Sequence, residues 1–289
     1  MDRDLHLYTQ GLIDQEDILS IMLVMKENNP SPFLDGANRL YMVIVNRPEP
    51  QWETRHFMMK EERIVEHRIS QWQIENWAIH GVSERVSYWL SQAEIIFDRH
   101  EYLGTIWDRL LRIPEQLQKQ RVYEEYSSFL RYYLEAKELL QHGCELDAYQ
   151  AILHAMHGWA RLVIWEAGQQ PSPALWSQVK QVDPSVYKLY EELTVSNEPL
   201  EKRIELLLLP IEFHVMSKMK DCTKLLLDVL QSRNRPWSVK ELLQQPALAG
   251  IQIDLHLLLE KMAKKTIVHE VLFLNEEKEV YEKGYLLSG

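Results

Sequence analysis

Residues 18–45 read ILSIMLVMKENNPSPFLDGANRLYMVIV, and the fold turns on how this stretch is understood. Ile18 to Met25 and Leu40 to Val45 are short apolar runs of β-favouring residues, each too short for a helix and each ended by turn chemistry. Asn28 to Pro32 and the Asp35-Gly36 dipeptide separate the two runs, because proline fixes φ and glycine accepts a positive φ. The stretch is therefore strand, loop, strand.

Working outward, residues 1–17 form a short helix before the first strand. Arg47-Pro48-Glu49-Pro50 ends the second strand sharply. Thr54 to Lys60 and Arg63 to Ile69 are two further extended segments joined at Glu61 and Glu62. Ser70 with Gln73 has capping-box spacing before a helix over Gln71 to Ile79. A helix over Ser83 to Ser91 and a short buried strand over Ala93 to Phe97 follow. Asp98 with Glu101 repeats the capping spacing ahead of a helix through Leu111. These elements make an α+β domain spanning residues 1–113.

Pro114 marks a change of period from two to 3.6. Gln120 to Gln141 and Glu145 to Ala167 are long helices, Pro171 to Val179 is a shorter one, and Asp183-Pro184 opens another through Leu193. A pattern from Pro199 or Leu200 toward Leu230 contains Pro210, which removes a backbone hydrogen bond and predicts a kink or a division there. Residues 114–232 form a helical bundle. In the last part, 233–289, Ser238 and Glu241 cap a short helix and Gln252 to Lys265 is a second. Thr266 to Leu274 pairs with Glu279 to Leu286 as a hairpin around Asn275 to Lys278. With a first helix contributed from before residue 233, this order matches a winged helix.

The 289 residues are 46% apolar, enough for real cores, and carry a formal charge of -11, which argues against a surface wrapped in nucleic acid. Two cysteines, Cys144 and Cys222, form no CxxC pair or Cys/His cluster, so neither a disulfide framework nor a zinc knuckle is expected. The first nine residues lack a basic stretch followed by an apolar run, and Leu206 to Ile211 is far too short for a membrane span. The expected home is the cytoplasm. Nine tryptophans are present, and the seven in helical patterns, Trp72, Trp77, Trp89, Trp107, Trp159, Trp165 and Trp176, read as packing residues.

Strand, loop, strand, then further strands and a helical second domain, resembles the nucleotidyltransferase superfamily. More closely, the chain resembles a bacterial nucleotidyltransferase-like family that adds a helical substrate-binding-like domain and a C-terminal helix-turn-helix. Ala93 to Arg99, Asp147 to Arg161 and Trp176 to Leu193 are among the most recognisable stretches. The resemblance implies a Gly-Ser turn after the first strand and two carboxylates one residue apart on the next, sharing a face because strand side chains repeat every two residues. Those carboxylates would hold magnesium against a nucleoside triphosphate.

This chain departs from that pattern. The turn reads Met25-Lys26-Glu27-Asn28, and the region of the acidic pair reads Asn38-Arg39-Leu40-Tyr41-Met42, an amide, a cation, an apolar group and a phenol at the four positions concerned. Asp35 is the nearest carboxylate and reads as a turn residue. Glu61, Glu62 and Glu66 read as a solvated hairpin, with Glu66 the substitute from a later strand. No cofactor is expected. A magnesium-dependent transferase using Asp35 or Glu66 is the enzymatic alternative.

In the bundle, Asp147, Gln150, His154, His157 and Arg161 share one helical face, while Ala148, Ile152, Met156, Trp159 and Val163 form the core stripe. Glu124, Ser128, Arg131, Glu135, Glu138 and His142 line the preceding helix. Arg131, Glu135, His154, His157 and Arg161 are thus candidates for a small polar or nucleotide-like ligand. The leucine surplus at 206–209 and 225–227 suggests burial between layers, a homodimer or a protein partner. Gln252, Lys261, Lys264 and Lys265 are the candidate DNA contacts. From residue 233 onward eight Lys or Arg balance eight Asp or Glu, so that last part lacks the basic excess of a strong phosphate binder.

Overall fold

The computed structural model describes residues 3–26, 36–248, 250–251, 253–275 and 280–288. Asp35 and Gln252, two candidate site residues, lie outside the described residues, as do Glu27 and Asn28 of the first turn and residues 276–279 between the last two strands. The chain divides into two compact units, residues 1–117 with 170–174, and residues 118–169 with 175–289.

In the first unit α1 (Arg3–Ile13) precedes β1 (Ile18–Met25), β2 (Arg39–Val45), β3 (Trp52–Met59) and β4 (Glu62–Ser70). After these come α2 (Gln71–His80), α3 (Glu84–Gln92), β5 (Glu94–Asp98) and α4 (Tyr102–Leu111). The sheet order is β3-β4-β2-β1-β5, with β2 and β4 parallel and all other neighbours antiparallel. β1 and β2 lack an alternating pattern because both of their faces are covered. Met22, Val24, Leu40, Met42 and Ile44 belong to a core shared with α2, α3 and α4. Ile21, Leu23, Tyr41 and Val43 form a second core with Leu12 of α1.

Local caps set the entry into the helices. The Ser70 hydroxyl accepts the Gln73 amide at 3.2 Å, an N-cap worth about 1 kcal/mol. Asp98 behaves differently from its spacing: a 3-10 turn over Arg99–Glu101 intervenes, and the carboxylate accepts the amides of Leu103 and Gly104 at 3.0 and 3.2 Å. His100 and Glu101 adopt φ of 55° and 54°, a left-handed geometry costing about 1–2 kcal/mol each for residues with a Cβ. The Asp98 bonds and Arg99, which donates to the carbonyls of Ile13, Gln15 and Ile18, hold that turn.

The second unit holds α5 (Glu115–Gln141, from Gln118 onward), α6 (Glu145–Glu166), α7 (Leu175–Val182), α8 (Pro184–Val195) and α9 (Leu200–Cys222). α5 begins five residues before Gln120, and the segment from Pro171 to Ala174 is non-helical, so α7 starts later than its composition suggested. α9 runs unbroken through Pro210, and the division falls instead at Thr223. Burying Ile204, Leu207, Ile211, Val215 and Met219 along one stripe offsets the roughly 3 kcal/mol a mid-helix proline costs. The Tyr126 hydroxyl donates to the Val215 carbonyl at 2.8 Å, tying α5 to α9. The expected stripe of Ala148, Ile152, Met156, Trp159 and Val163 on α6 is buried. Among the tryptophans, Trp77, Trp89, Trp159 and Trp165 are core residues, but Trp72 is 42% exposed and is not a packing anchor.

Within the same unit α10 (Lys224–Gln231), α11 (Val239–Leu243), α12 (Leu255–Lys264) and the hairpin β6 (Val268–Asn275) with β7 (Val280–Leu287) follow in winged-helix order. Ser238 and Glu241 complete a reciprocal capping box at the start of α11. Trp237 and Tyr285 exchange backbone hydrogen bonds at 2.9 Å, which adds a third short edge to the hairpin.

Candidate functional site

Side chains on a strand alternate between faces, so Arg39 and Tyr41 of β2 project to the α1 side of the sheet and Leu40 and Met42 to the other. The parallel register sets Tyr41 beside Glu66 and Val43 beside Arg68. Glu66 and Arg68 therefore lie on the face where a metal-binding pair would stand. Glu66 is 1% exposed, which corrects the reading of it as part of a solvated hairpin. Its carboxylate accepts the Tyr8 hydroxyl from α1 and Arg68 Nε at 2.8 Å, with Arg55 Nη1 at 3.8 Å. Arg68 reaches on to Gln15 at 3.3 Å, and the Tyr8 ring stands edge-on to Tyr41 with centroids 5.4 Å apart. Burial first, and then the Glu66 carboxylate it bonds, push the Tyr8 phenol well above its ordinary range. A cavity of about 470 Å3 opens beside this group, walled by Leu7, Leu12, Phe57 and Met59.

The remaining positions of the pair region are also engaged. The Asn38 side chain accepts the Arg63 amide at 2.9 Å, and Leu40 is fully buried. Arg39 grips Glu62 through two nitrogens at 2.5 and 3.2 Å, so Glu62 too is a partner and not simply a solvated turn residue. The Tyr8 contribution comes from 58 residues away and carried no local signal; the alternation Glu66-His67-Arg68, by contrast, already put the ion pair on one face.

On the bundle the five polar candidates do not gather into one cluster. Arg161 donates to Glu125 at 2.6 Å in a half-buried pair across α5 and α6. His154 packs its ring 4.8 Å from that of Tyr132, and the Arg131 guanidinium lies 4.6 Å from the same ring. Glu135 and His157 are exposed. Of the five, Arg131 lines a cavity of about 630 Å3 with Ser127 and Ser128 of α5 and with residues of α11 and the start of α12. Glu125, Tyr132 and those distant cavity residues were not among the candidates.

In the terminal part Lys264 bonds Glu260 at 2.7 Å, Lys265 is exposed and Lys261 half-buried, while on the hairpin Lys283 bonds Glu270 at 2.9 Å. The leucine surplus of α9 resolves into a buried stripe and three exposed residues, Leu206, Leu209 and Phe213, at 68%, 76% and 77% exposure. Leu225 and Leu226 are buried.

A mixed five-stranded sheet crossed by a parallel pair, a helical bundle and a helix-turn-helix with a hairpin together define a three-part nucleotidyltransferase-like protein. The Nucleotidyltransferase-like family matches residues 1–118, the YgxA-like substrate binding domain residues 119–218, and a Helix-turn-helix domain residues 224–287. The chain is 32% identical over 267 residues to the uncharacterised protein YgxA of Bacillus subtilis, covering 92% of this chain and 90% of that one. The crystal structure of a nucleotidyltransferase-like protein from Exiguobacterium sibiricum is similar at a TM-score of 0.71 and 28% identity, over 99% of this chain and 98% of that one. The chain belongs to the YgxA-like family of nucleotidyltransferase-like proteins. Among the described residues no helix is long and apolar enough to cross a membrane.

Proposed function

We propose that this chain is a catalytically degenerate nucleotidyltransferase-like protein, acting by binding a small polar ligand or a protein partner and coupling that event to its helix-turn-helix. The observation that carries the reading is the set of donors on the α1 face of the sheet. Magnesium takes a near-octahedral shell of oxygens and is held by carboxylates, whereas Arg39 and Tyr41 offer a guanidinium and a phenol. Of the β4 carboxylates with the same strand parity, Glu66 already accepts hydrogen bonds from Tyr8 and Arg68, and Glu62 is held by two nitrogens of Arg39. These residues do not fit a magnesium centre, and no chemical step is assigned to one.

Incubation of the whole protein with labelled nucleoside triphosphates, magnesium or manganese, and a broad acceptor pool tests the reading. The expected result is no transfer above the buffer control. Reproducible labelling that disappears in Glu66→Gln or Asp35→Asn would establish the atypical magnesium-dependent enzyme instead. A DNA-binding regulator is the remaining alternative: it requires salt-sensitive binding that weakens when Lys261, Lys264 and Lys265 are neutralised. The even charge balance of the last part and the Lys264–Glu260 pair support the non-DNA reading. The partner half of the proposal is supported by the exposed Leu206, Leu209 and Phe213, and light scattering of the purified chain reads whether that partner is a second copy.

A further inference from the structure

We propose that the 630 Å3 cavity bounded by α5, α11 and the start of α12 binds a small organic anion, one with a compact phosphate or carboxylate head and an apolar body. Occupation of this site joins the helical bundle to the helix-turn-helix. The proposal rests on the ligand-binding half of the function above and supplies its location and chemistry.

The cavity lies within the range of about 300–1,000 Å3 typical of small-molecule sites. Ser127, Ser128 and Arg131 enter it from successive turns of one face of α5. Ser127 is only 3% exposed, yet its hydroxyl makes no hydrogen bond among the described residues. A serine inside a helix ordinarily returns its hydroxyl to a carbonyl three or four residues back. Ser91 and Ser217 do so here, to Tyr88 and His214 at 2.8 and 3.0 Å. Without a protein partner, that hydroxyl is open to a ligand oxygen in the cavity.

Charge points the same way. Arg131 makes no ion pair among the described residues, its one recorded neighbour being the Tyr132 ring. Asp254 also faces the cavity, but its carboxylate caps α12, accepting the Leu257 amide at 3.1 Å, where the helix N-terminus compensates a negative group. The uncompensated charge is the Arg131 guanidinium, whose planar fork suits two oxygens of one head group. Val239, Leu243, Ile253 and Leu255, with His256, make the rest of the wall. A bare inorganic anion leaves that wall wet, so an anion with an apolar body binds more tightly.

Calorimetry on the full chain with phenyl phosphate, benzoate and inorganic phosphate tests this, with hydrogen exchange to locate the site. Phenyl phosphate or benzoate, whichever head the site prefers, is expected to bind at millimolar concentration or tighter and at least about tenfold better than inorganic phosphate. Exchange should slow in α11 and α12, since a ligand that binds only the folded state stabilises it. Arg131→Gln, a change at an exposed position that circular dichroism should find folded, is expected to weaken binding about tenfold. Leu243→Trp should abolish binding by filling the wall.

The proposal is overturned by any of three results: neither aromatic anion binds at about 10 mM, Arg131→Gln binds as well as the parent, or exchange slows only in residues 3–117. Equal binding of inorganic and phenyl phosphate also sinks it, as an adventitious ion only. Transfer activity that Arg131→Gln leaves unchanged would instead break the degenerate reading and leave this site standing.

Discussion

The chain builds two polar pockets on opposite principles. Under α1, every charge is answered: Glu66 is 1% exposed and is met by a phenol and a guanidinium, and Arg68 passes the chain on to Gln15. Beside α5, the Arg131 guanidinium makes no ion pair among the described residues and the Ser127 hydroxyl lines a cavity whose wall is largely apolar. Burial depth alone would have ranked the first pocket as the functional one. Satisfaction ranks them the other way, because a charge already paired has little left to give an incoming ligand, while an open donor set gains most from one.

The comparison breaks most visibly at Glu66. Glu66→Ala leaves Arg68 14% exposed with its carboxylate gone and strands the Tyr8 hydroxyl, and removing one member of a buried ion pair costs about 3–5 kcal/mol. Native-state hydrogen exchange of the β2 and β4 amides measures that loss in the first unit without assuming that the whole chain unfolds in one step. A loss below about 1 kcal/mol would mean that the pair is loosely held and that Glu66 is available for other work. Arg131→Gln, at the open pocket, serves as the contrasting variant and should leave those amides unchanged.

A smaller effect tests whether satisfied charge is the rule elsewhere in the second unit. Glu241 accepts both terminal nitrogens of Arg233 at 2.6 and 2.9 Å and closes the α11 capping box, and Arg233 lies 3.5 Å over the Trp237 ring. The Arg233 bonds, and then the Ser238 backbone and hydroxyl bonds, hold its carboxyl down to about 2. A carboxyl depressed in the folded state stabilises it above the unfolded value of 4.5 and loses that contribution as pH falls through 4.5 toward 2. Exchange of the α11 amides should therefore quicken over this acid window, and Glu241→Gln should flatten the dependence while costing about 1 kcal/mol at neutral pH, a figure kept small by the exposure of the pair. An unchanged acid profile in the variant would place the titration on another group.

What could be read in advance followed the range over which each interaction acts. ILSIMLVM and LYMVIV declared buried strands because apolar runs of that length have few other uses, and Ser238 with Glu241 declared a cap because its partners are three residues apart. The period of two also put Glu66 and Arg68 on one face. Tyr8 stayed hidden, since nothing near it marks a phenol destined for a strand 58 residues on. Pro210 does not divide α9, because local backbone chemistry was outweighed by the stripe from Ile204 to Met219, a tertiary effect. Ser128 and Arg131 were visible as a polar row on α5, but the wall they face comes from residues 239–256, and no local pattern links segments so far apart.

The finest test of the contrast is Ser127→Ala. If the hydroxyl has no protein partner, its removal deletes no bond, so stability should stay within about 0.5 kcal/mol of the parent. The same change at a satisfied buried serine such as Ser70, which caps α2 and also accepts the Gln51 amide at 3.1 Å, should cost about 1 kcal/mol or more. Denaturant melts of the two variants side by side make the comparison internal to one chain. If Ser127→Ala proved as costly as Ser70→Ala, the hydroxyl would be fully engaged in solution, and the α5 pocket would be closed by the same logic as the one under α1.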